Sequence, residues 1–329
     1  MINGIIIVFV GLVLGSFVNA LVWRLHLLAL RKAPSSPDRL TSATNSFSSL
    51  DVPSGTSPSD KTVFARADSL WERGILRKSS LQSTKHPKKP DNKKYSIVSG
   101  RSMCPDCRHQ LAWYDLIPVI SWLGLRGRCR YCHRPISWQY PLVEILTAVT
   151  FITSYVYWPY SWSAIGITLF IVWIVSLISF MALAVYDLRW FILPDKIVFP
   201  LVGLAAIQII MRTVLYGEIS PILGGLIGVV TLAGLFYALF QFSKGQWIGG
   251  GDVKLAVALG MLAGGAAESV LLLFLASLIG TLVSLPLLLS KKLKKNSRIP
   301  FGPLLLMATF IVYIFGSDII NWLKLYYFY

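Results

Sequence analysis

Two aspartates stand where long apolar runs meet short polar loops. Asp187 follows Tyr186, and Asp252 lies within Ile248-Gly-Gly-Gly-Asp252-Val-Lys254. An ionisable side chain beside a membrane-embedded segment is costly, so it marks a functional site by default. Two carboxylates in a poorly hydrated site do not both ionise readily, so one can accept a proton from water while the other polarises a peptide carbonyl. The pair therefore predicts the catalytic centre of a membrane-embedded aspartyl protease.

Three glycines, Gly249, Gly250 and Gly251, precede Asp252. Without Cβ atoms, the backbone can adopt unusual dihedral angles and approach the main chain of a substrate closely. We therefore expect a substrate-proximal loop here. A merely flexible loop would also contain glycines, and that alternative stays open because the pattern GxGD alone is weak.

Two further carboxylates have simpler interpretations. Asp195 follows Pro194 and could begin the next helix as an N-cap. Glu144 could face a neighbouring helix or the membrane interface. We expect structural roles for both.

Four cysteines form two CxxC pairs, Cys104 with Cys107 and Cys129 with Cys132, separated by 21 residues. Four thiolates can close a tetrahedron around zinc, and such a closed site holds a fold without leaving a position for water. The separation slightly exceeds the usual spacing of about 15 to 20 residues. Redox-active pairs are the alternative, but two such units in one polar module favour a structural zinc site. The neighbouring His109 and His133 are interpreted as surface histidines.

The composition is that of a polytopic membrane protein, since 55% of the 329 residues are hydrophobic and only 14% are charged. The net charge of +16 does not indicate a nucleic-acid partner, because 20 of the 31 Lys and Arg residues are concentrated between Arg24 and Arg134. That concentration predicts a segment retained in the cytoplasm by its positive charge. A reducing cytoplasm also favours metal over disulfides for the four cysteines.

The hydropathy pattern predicts about eight transmembrane helices in an all-α fold. The first run, Ile2 to about Trp23, can cross a bilayer, and its Gly11 and Gly15 form a small-xxx-small pair typical of helix packing. The remaining runs cover residues 141–158, 162–186, 197–215, 221–241, 253–267, 270–290 and 301–316. The run at 253–267 is short enough for a re-entrant helix to be a serious competitor.

Charge distribution favours a crossing by this short run. If all eight runs span, the cytoplasmic loops hold 29 of the 31 Lys and Arg residues, with Arg212 and Lys324 on the far side. This topology places the N-terminus outside and brings Asp187 and Asp252 to the cytoplasmic side. The predicted domains are therefore a first helix at 1–23, a basic Ser/Pro-rich insertion at 24–100, a four-cysteine module at 101–140 and a membrane-embedded protease domain at 141–329.

Several motifs in one order are similar to those of the type IV prepilin peptidases. They comprise Gly15-Ser16-Phe17, Asn19, Arg24, Cys104, Cys107, Trp113-Tyr114-Asp115, Ile117-Pro118, Ser121-Trp122, Arg126-Gly127, Cys129, Cys132, Ile136-Ser137, Tyr140-Pro141-Leu142-Val143-Glu144, Asp187, Leu193-Pro194-Asp195, Gly249 through Lys254 and Ile299-Pro300-Phe301-Gly302-Pro303. The resemblance covers nearly the whole chain except residues 30–100, where the insertion departs from the family pattern.

The resemblance implies that Asp187 and Asp252 are the catalytic pair of a protease in the bacterial inner membrane. It implies a prepilin or type II secretion pseudopilin as substrate, whose basic leader is cut after a glycine at the cytoplasmic membrane face. It also implies N-methylation of the new N-terminus with S-adenosylmethionine as cofactor, although no glycine-rich nucleotide loop stands out. The lipid bilayer is the other expected partner, and the pattern does not define an oligomeric state.

Two alternatives remain at this stage. A presenilin-like intramembrane protease would also suit Tyr186-Asp187 and GxGD, but the CxxC module and the Ile299–Pro303 turn speak against it. An ion-coupled transporter would predict carboxylates near the bilayer midplane and a repeat between the two halves. Neither feature is evident in the sequence.

Overall fold

The computed structural model describes residues 2–32, 102–104, 106–107, 109–290 and 300–328. Most of the predicted insertion at 24–100, namely residues 33–100, therefore lies outside the described residues. The short basic segment 291–299 before the last helix also lies outside them.

Helices dominate the described residues, which contain no β-strand and only two isolated β-bridges. The α-helices are α1 (Ile2–Lys32), α2 (Ile120–Gly124), α3 (Gln139–Val156), α4 (Ala164–Trp190), α5 (Asp195–Tyr216), α6 (Ser220–Phe242), α7 (Gly250–Ala263), α8 (Ala266–Leu289) and α9 (Gly302–Phe328). A short 3₁₀ helix, Trp113–Leu116, precedes α2. The all-α, multi-pass fold class is confirmed.

The eight long helices coincide with the eight predicted apolar runs. Six of them, α1, α4, α5, α6, α8 and α9, are long and apolar enough to cross a membrane within the described residues. The other two, α3 with 18 residues and α7 with 14, fall outside that set. At 1.5 Å per residue α7 is only about 21 Å long, less than the bilayer's apolar thickness of about 30 Å. The prediction of about eight spans is thus approximate.

Two glycines bring α1 against α3. A Cβ atom on Gly15 would lie 2.7 Å from the Cα atom of Glu144, and one on Gly11 would lie 2.6 Å from Cα of Ala148. The amide of Asn19 donates to the Tyr140 carbonyl at 3.2 Å in the same antiparallel register. The small-xxx-small pair thus acts as a packing face, as the sequence predicts.

Glycines also bring α6 against the short helix α7. A Cβ atom on Gly228 would overlap the carbonyl oxygen of Gly260, and one on Gly224 would overlap that of Gly264. Only residues without side chains allow the two backbones to approach this closely. This contact fixes the position of α7, the helix that carries Asp252.

The buried cation Arg212, on α5, meets the far end of α7. Its guanidinium donates to the Leu262 carbonyl at 3.4 Å and lies 5.2 Å from the centre of the Tyr313 ring. The last carbonyls of a helix lack intrahelical donors and carry partial negative charge, so a cation stabilises them. Arg212 therefore compensates for ending α7 inside the bundle, where Gly264 closes the helix with φ +85°.

Candidate active site

Asp187 lies in the last turn of α4, with only 6% of its surface exposed. The helix ends at Phe191, which adopts a left-handed φ of 54° and donates its N–H to the Asp187 carbonyl at 2.9 Å. Leu193 and Pro194 then lead directly into α5. The tight connection holds the Asp187 carboxylate inside the bundle near the end of its helix.

Gly302, the first residue of α9, contacts Asp187 directly. Its backbone N–H donates a hydrogen bond to the Asp187 carboxylate. A Cβ atom on Gly302 would lie 2.5 Å from Oδ2 of Asp187, so only glycine permits this approach. The first N–H groups of a helix carry partial positive charge and stabilise an anion. Gly302, which belongs to the Ile299–Pro303 motif, thus supports Asp187. The sequence motif alone did not reveal this role.

Asp252 lies in the first turn of α7, half-buried. Its carboxylate accepts a hydrogen bond from the N–H of Gly249, and its own N–H donates to the Gly249 carbonyl at 3.1 Å. This is the backward half of a capping box, in which the third helical residue caps the backbone before the helix. Asp252 therefore lies at the positive N-terminal end of its own helix, and Asp187, at the end of α4, contacts the N-terminal end of α9.

The glycines before Asp252 matter because they lack side chains and so allow close packing, not because their backbone angles are unusual. None of the three has the unusual backbone angles that we expected, because Gly249 is extended and Gly250 and Gly251 begin α7. Instead, a Cβ atom on Gly251 would lie 3.2 Å from Cβ of Leu193. The missing side chain lets α7 approach the loop that follows Asp187.

These contacts bring the two predicted residues together. Asp187 and Asp252 are 65 residues apart in sequence, yet their motifs lie side by side through the contacts of Gly251 and Gly302. Leu193 is the common neighbour, since it faces both Gly251 and Gly302. The ring of Phe301 stacks near that of Phe236 on α6 at 6.2 Å between centroids. The site is thus formed by the ends of α4, α7 and α9, with α6 behind it.

Lys254 and Asp195 connect the two aspartate motifs beside the site. The Lys254 ammonium lies 2.9 Å from both carboxylate oxygens of Asp195. Asp195 is the first residue of α5 and makes no side-chain cap, since Pro194 occupies the N-cap position. The N-cap interpretation of Asp195 is therefore wrong, and the carboxylate holds α5 to α7 instead.

The four cysteines converge into one cluster. All their sulfur atoms lie within 4.8 Å of one another, and Sγ of Cys104 lies 3.9 Å from Sγ of Cys132. Zinc–sulfur bonds of about 2.3 Å in a tetrahedron require sulfur atoms roughly 3.8 Å apart. All four are free thiols. The cluster therefore fits a four-coordinate metal ion.

Two buried carboxylates hold the cysteine module in shape. Asp115, with 3% of its side chain exposed, accepts hydrogen bonds from Arg130 at 2.8 Å and Tyr131 at 3.2 Å. Glu144 on α3 accepts the backbone N–H of Val119 at 2.7 Å and a hydrogen bond from Ser16 on α1. Glu144 thus faces a helical neighbour, as one of its two interpretations proposed.

Comparison with known proteins matches both halves of the chain. Residues 9–158 match the bacterial peptidase A24 N-terminal domain, and residues 174–285 match the type IV leader peptidase family. Three similar curated proteins, all named prepilin leader peptidase/N-methyltransferase, come from Aeromonas hydrophila, Pseudomonas aeruginosa and Bacillus subtilis. They are 34%, 32% and 32% identical to this chain, over 70%, 70% and 69% of its length and 77%, 77% and 86% of theirs. No solved structure matches.

The fold and these matches define a multi-pass, inner-membrane peptidase. More specifically, the chain belongs to the type IV leader peptidase family, as its motifs led us to expect.

Proposed function

We propose that the protein cleaves the leader peptide from type IV prepilins or type II secretion pseudopilins, with Asp187 and Asp252 as its catalytic residues. The observation that supports the proposal is that Leu193 lies against both Gly251, the neighbour of Asp252, and Gly302, which contacts Asp187, in a member of the leader peptidase family. Asp195, the remaining carboxylate of these motifs, is paired with Lys254 instead.

The chemistry requires the two carboxylates to share one proton. The ionised aspartate accepts a proton from water as the water oxygen attacks the scissile carbonyl carbon, and the protonated aspartate donates to the carbonyl oxygen. Collapse of the tetrahedral intermediate breaks the C–N bond, and the leaving amine takes a proton from the pair. Helix N-termini at both residues favour the negative charge that the pair carries throughout.

The distribution of Lys and Arg along the sequence supports a cytoplasmic site. With the N-terminus outside, Asp187, Asp252 and the cysteine module all belong to the cytoplasmic side, and the basic leader of the substrate stays there. Cleavage then follows a glycine just before the hydrophobic helix of the substrate. In domain terms, residues 141–329 form the protease domain, 101–140 the cysteine module, 24–100 the insertion and 1–23 the first membrane helix.

The test is cleavage of a prepilin peptide by purified protein, with mass spectrometry of the products. Asp187→Asn and Asp252→Asn should each abolish cleavage. Asp318→Asn is the matched control, because this aspartate is exposed on α9 and lies 16 residues beyond Gly302, about 24 Å along the helix. Full activity in either of the first two variants would disprove the assignment.

We further propose zinc as the metal of the cysteine cluster, with a structural role, because four thiolates leave no open coordination position. Elemental analysis should find about one zinc per chain, lost when Cys104 and Cys129 are replaced by Ser. Retention of zinc in that double variant would contradict the site.

N-methylation of the new N-terminus is proposed as a second activity, with S-adenosylmethionine as the methyl donor. Its support is the name shared by the similar proteins from Aeromonas hydrophila, Pseudomonas aeruginosa and Bacillus subtilis. The same mass spectrometry, with S-adenosylmethionine added, should show the mature product heavier by one methyl group. An unshifted product would refute this activity without affecting the peptidase assignment.

A further inference from the structure

The cysteine module carries a surface of large apolar side chains that nothing in the described chain covers. Its members are strongly or partly exposed, with Trp113 at 77%, Trp138 at 73%, Ile120 at 69%, Leu123 at 60% and Leu116 at 38%. We call these five residues the module's apolar surface. Isolated exposed apolar residues are ordinary, but a concentration of this size in a polar module marks an interaction surface.

The register of α1 against α3 gives the depth at which this surface begins. Glu144 binds both Ser16 on α1 and the N–H of Val119, the residue just before α2. On α1, Ser16 lies eight residues before the first cation of the sequence, Arg24. Eight helical residues span about 12 Å. With Arg24 taken as the level of the cytoplasmic membrane face, the start of α2 lies about 12 Å below that face, at the depth of lipid.

The backbone around α2 is suited to that depth. The N–H groups of Val119, Ser121 and Leu123 are bonded, to the Glu144 carboxylate and to the carbonyls of Ile117 and Val119. Lipid cannot replace such bonds, so backbone at membrane depth must be satisfied internally. Val119 holds a φ of 60°, which is strained for a β-branched residue and persists only where its surroundings enforce it. The bond to Glu144 supplies that constraint.

The module's apolar surface is followed along the chain by exposed apolar side chains of α3. Trp138 immediately precedes α3, and Leu142, Ile145 and Leu146 in the first two turns are all exposed. Since α3 packs against α1 with its buried face, this exposed stripe lies on the side of α3 turned away from α1. A tryptophan at the end of such a stripe is typical of the membrane interface.

Positive charge follows the apolar residues directly. Arg126 and Arg128 line a recess of about 370 Å³ just after α2, whereas Arg130 beside them is already paired with Asp115. Apolar side chains suit the acyl-chain boundary of a leaflet, and arginines beside them suit its phosphate head groups. The arrangement is that of an amphipathic segment lying in the plane of the interface.

We propose that the module's apolar surface is inserted into the cytoplasmic leaflet, so that residues 113–125 anchor the four-cysteine module in the membrane rather than leaving it free in the cytoplasm. The occupant of the surface is phospholipid, with acyl chains against Ile120 and Leu123 and phosphate groups against Arg126 and Arg128. The consequence is that the module is held at the level of the membrane face independently of the insertion.

Photo-crosslinking in the full-length protein tests the proposal. p-Benzoylphenylalanine is placed singly at Ile120, Leu123 or Trp113, and the protein is reconstituted in vesicles of phosphatidylethanolamine and phosphatidylglycerol. After irradiation, mass spectrometry of the intact protein identifies what was captured. Ile145 on the exposed face of α3 is the positive control, and Gln110, an exposed polar residue between the two CxxC pairs, is the negative control.

We expect phospholipid adducts at positions 120 and 123 in a yield close to that at 145 and several-fold above that at 110. Absence of lipid adducts at 120 and 123, with normal capture at 145, would overturn the proposal. Capture of a second copy of the chain, or of an added prepilin peptide in place of lipid, would also overturn it and identify the surface as a protein-binding site. At Trp113 the probe replaces one exposed aromatic side chain by another, so this variant keeps the fold. It takes the place of the variants at 120 and 123 if those disturb α2.

Discussion

Replacement of Gly302 by alanine should impair catalysis without unfolding the protein. The added Cβ atom would lie 2.5 Å from Oδ2 and 3.3 Å from Cγ of Asp187. Since unstrained contacts between such atoms are about 3.5 Å, the carboxylate must retreat by about 1 Å. A misplacement of about 1 Å in a catalytic group costs about 10²-fold in rate, or about 2.7 kcal/mol in activation free energy.

The assay is kcat for cleavage of a prepilin peptide in detergent, followed by mass spectrometry. We expect kcat to fall by about 10²-fold, with a thermal unfolding temperature close to that of the wild type, because Gly302 does not have a positive φ and alanine can adopt its backbone angles.

Two glycine-to-alanine variants serve as matched controls. Gly203 on α5 and Gly234 on α6 have no atom within 4 Å of an added Cβ, so both should retain wild-type kcat. The reasoning would be refuted if Gly302→Ala cleaved at the wild-type rate while Asp187→Asn was inactive, because the close approach of α9 would then not position the carboxylate.

Three further substitutions test the elements around the site. Gly228→Ala should lower the free energy of unfolding by about 1–3 kcal/mol more than Gly234→Ala does, because its methyl group overlaps the Gly260 carbonyl. Its unfolding temperature should fall accordingly, and equal unfolding temperatures of the two variants would contradict this contact. Arg212→Met should cost about 1.5–3 kcal/mol in denaturant titrations by removing a charged hydrogen bond to the end of α7, and an unchanged midpoint would show that the end needs no donor. Lys254→Met should cost less than about 1 kcal/mol and less still in high salt, because the Lys254 and Asp195 side chains are 46% and 53% exposed; a larger loss would show that the pair does more than join two helices.

The sequence predicts the positions of the long helices because each is a continuous apolar window. It predicts their ends less well. The last run was expected to stop at residue 316, but α9 continues to Phe328 through Gly316-Ser317-Asp318. Small and polar residues do not end a helix by themselves when neighbouring turns pack. Conversely, α7 stops at Ala263 because Gly264 takes a left-handed conformation there, a local signal that hydropathy overlooks.

The candidate residues could be named from the sequence, but their surroundings could not. The distribution of Lys and Arg and the family motifs predict that Asp187 and Asp252 lie close together. The hydrophobic periodicity of the sequence gives no information on this point. The N–H of Gly302, the ion pair of Lys254 with Asp195 and the capping role of Arg212 each depend on contacts between helices distant in sequence. A lone cation in an apolar run, as at Arg212, was the one available signal that a buried partner exists.

The shortness of α7 has a consequence for how a substrate is reached. Gly228 faces Gly260 in antiparallel register, which sets Asp252 opposite Phe236, six residues before α6 ends at Phe242. Six residues correspond to about 9 Å, so the carboxylate is recessed below the end of its neighbour. For the proposed prepilin substrate, this recess would let the bond beside the hydrophobic segment reach Asp252 while that segment stays dissolved in the lipid. Cleavage there would avoid the free-energy cost of extracting an apolar helix into water.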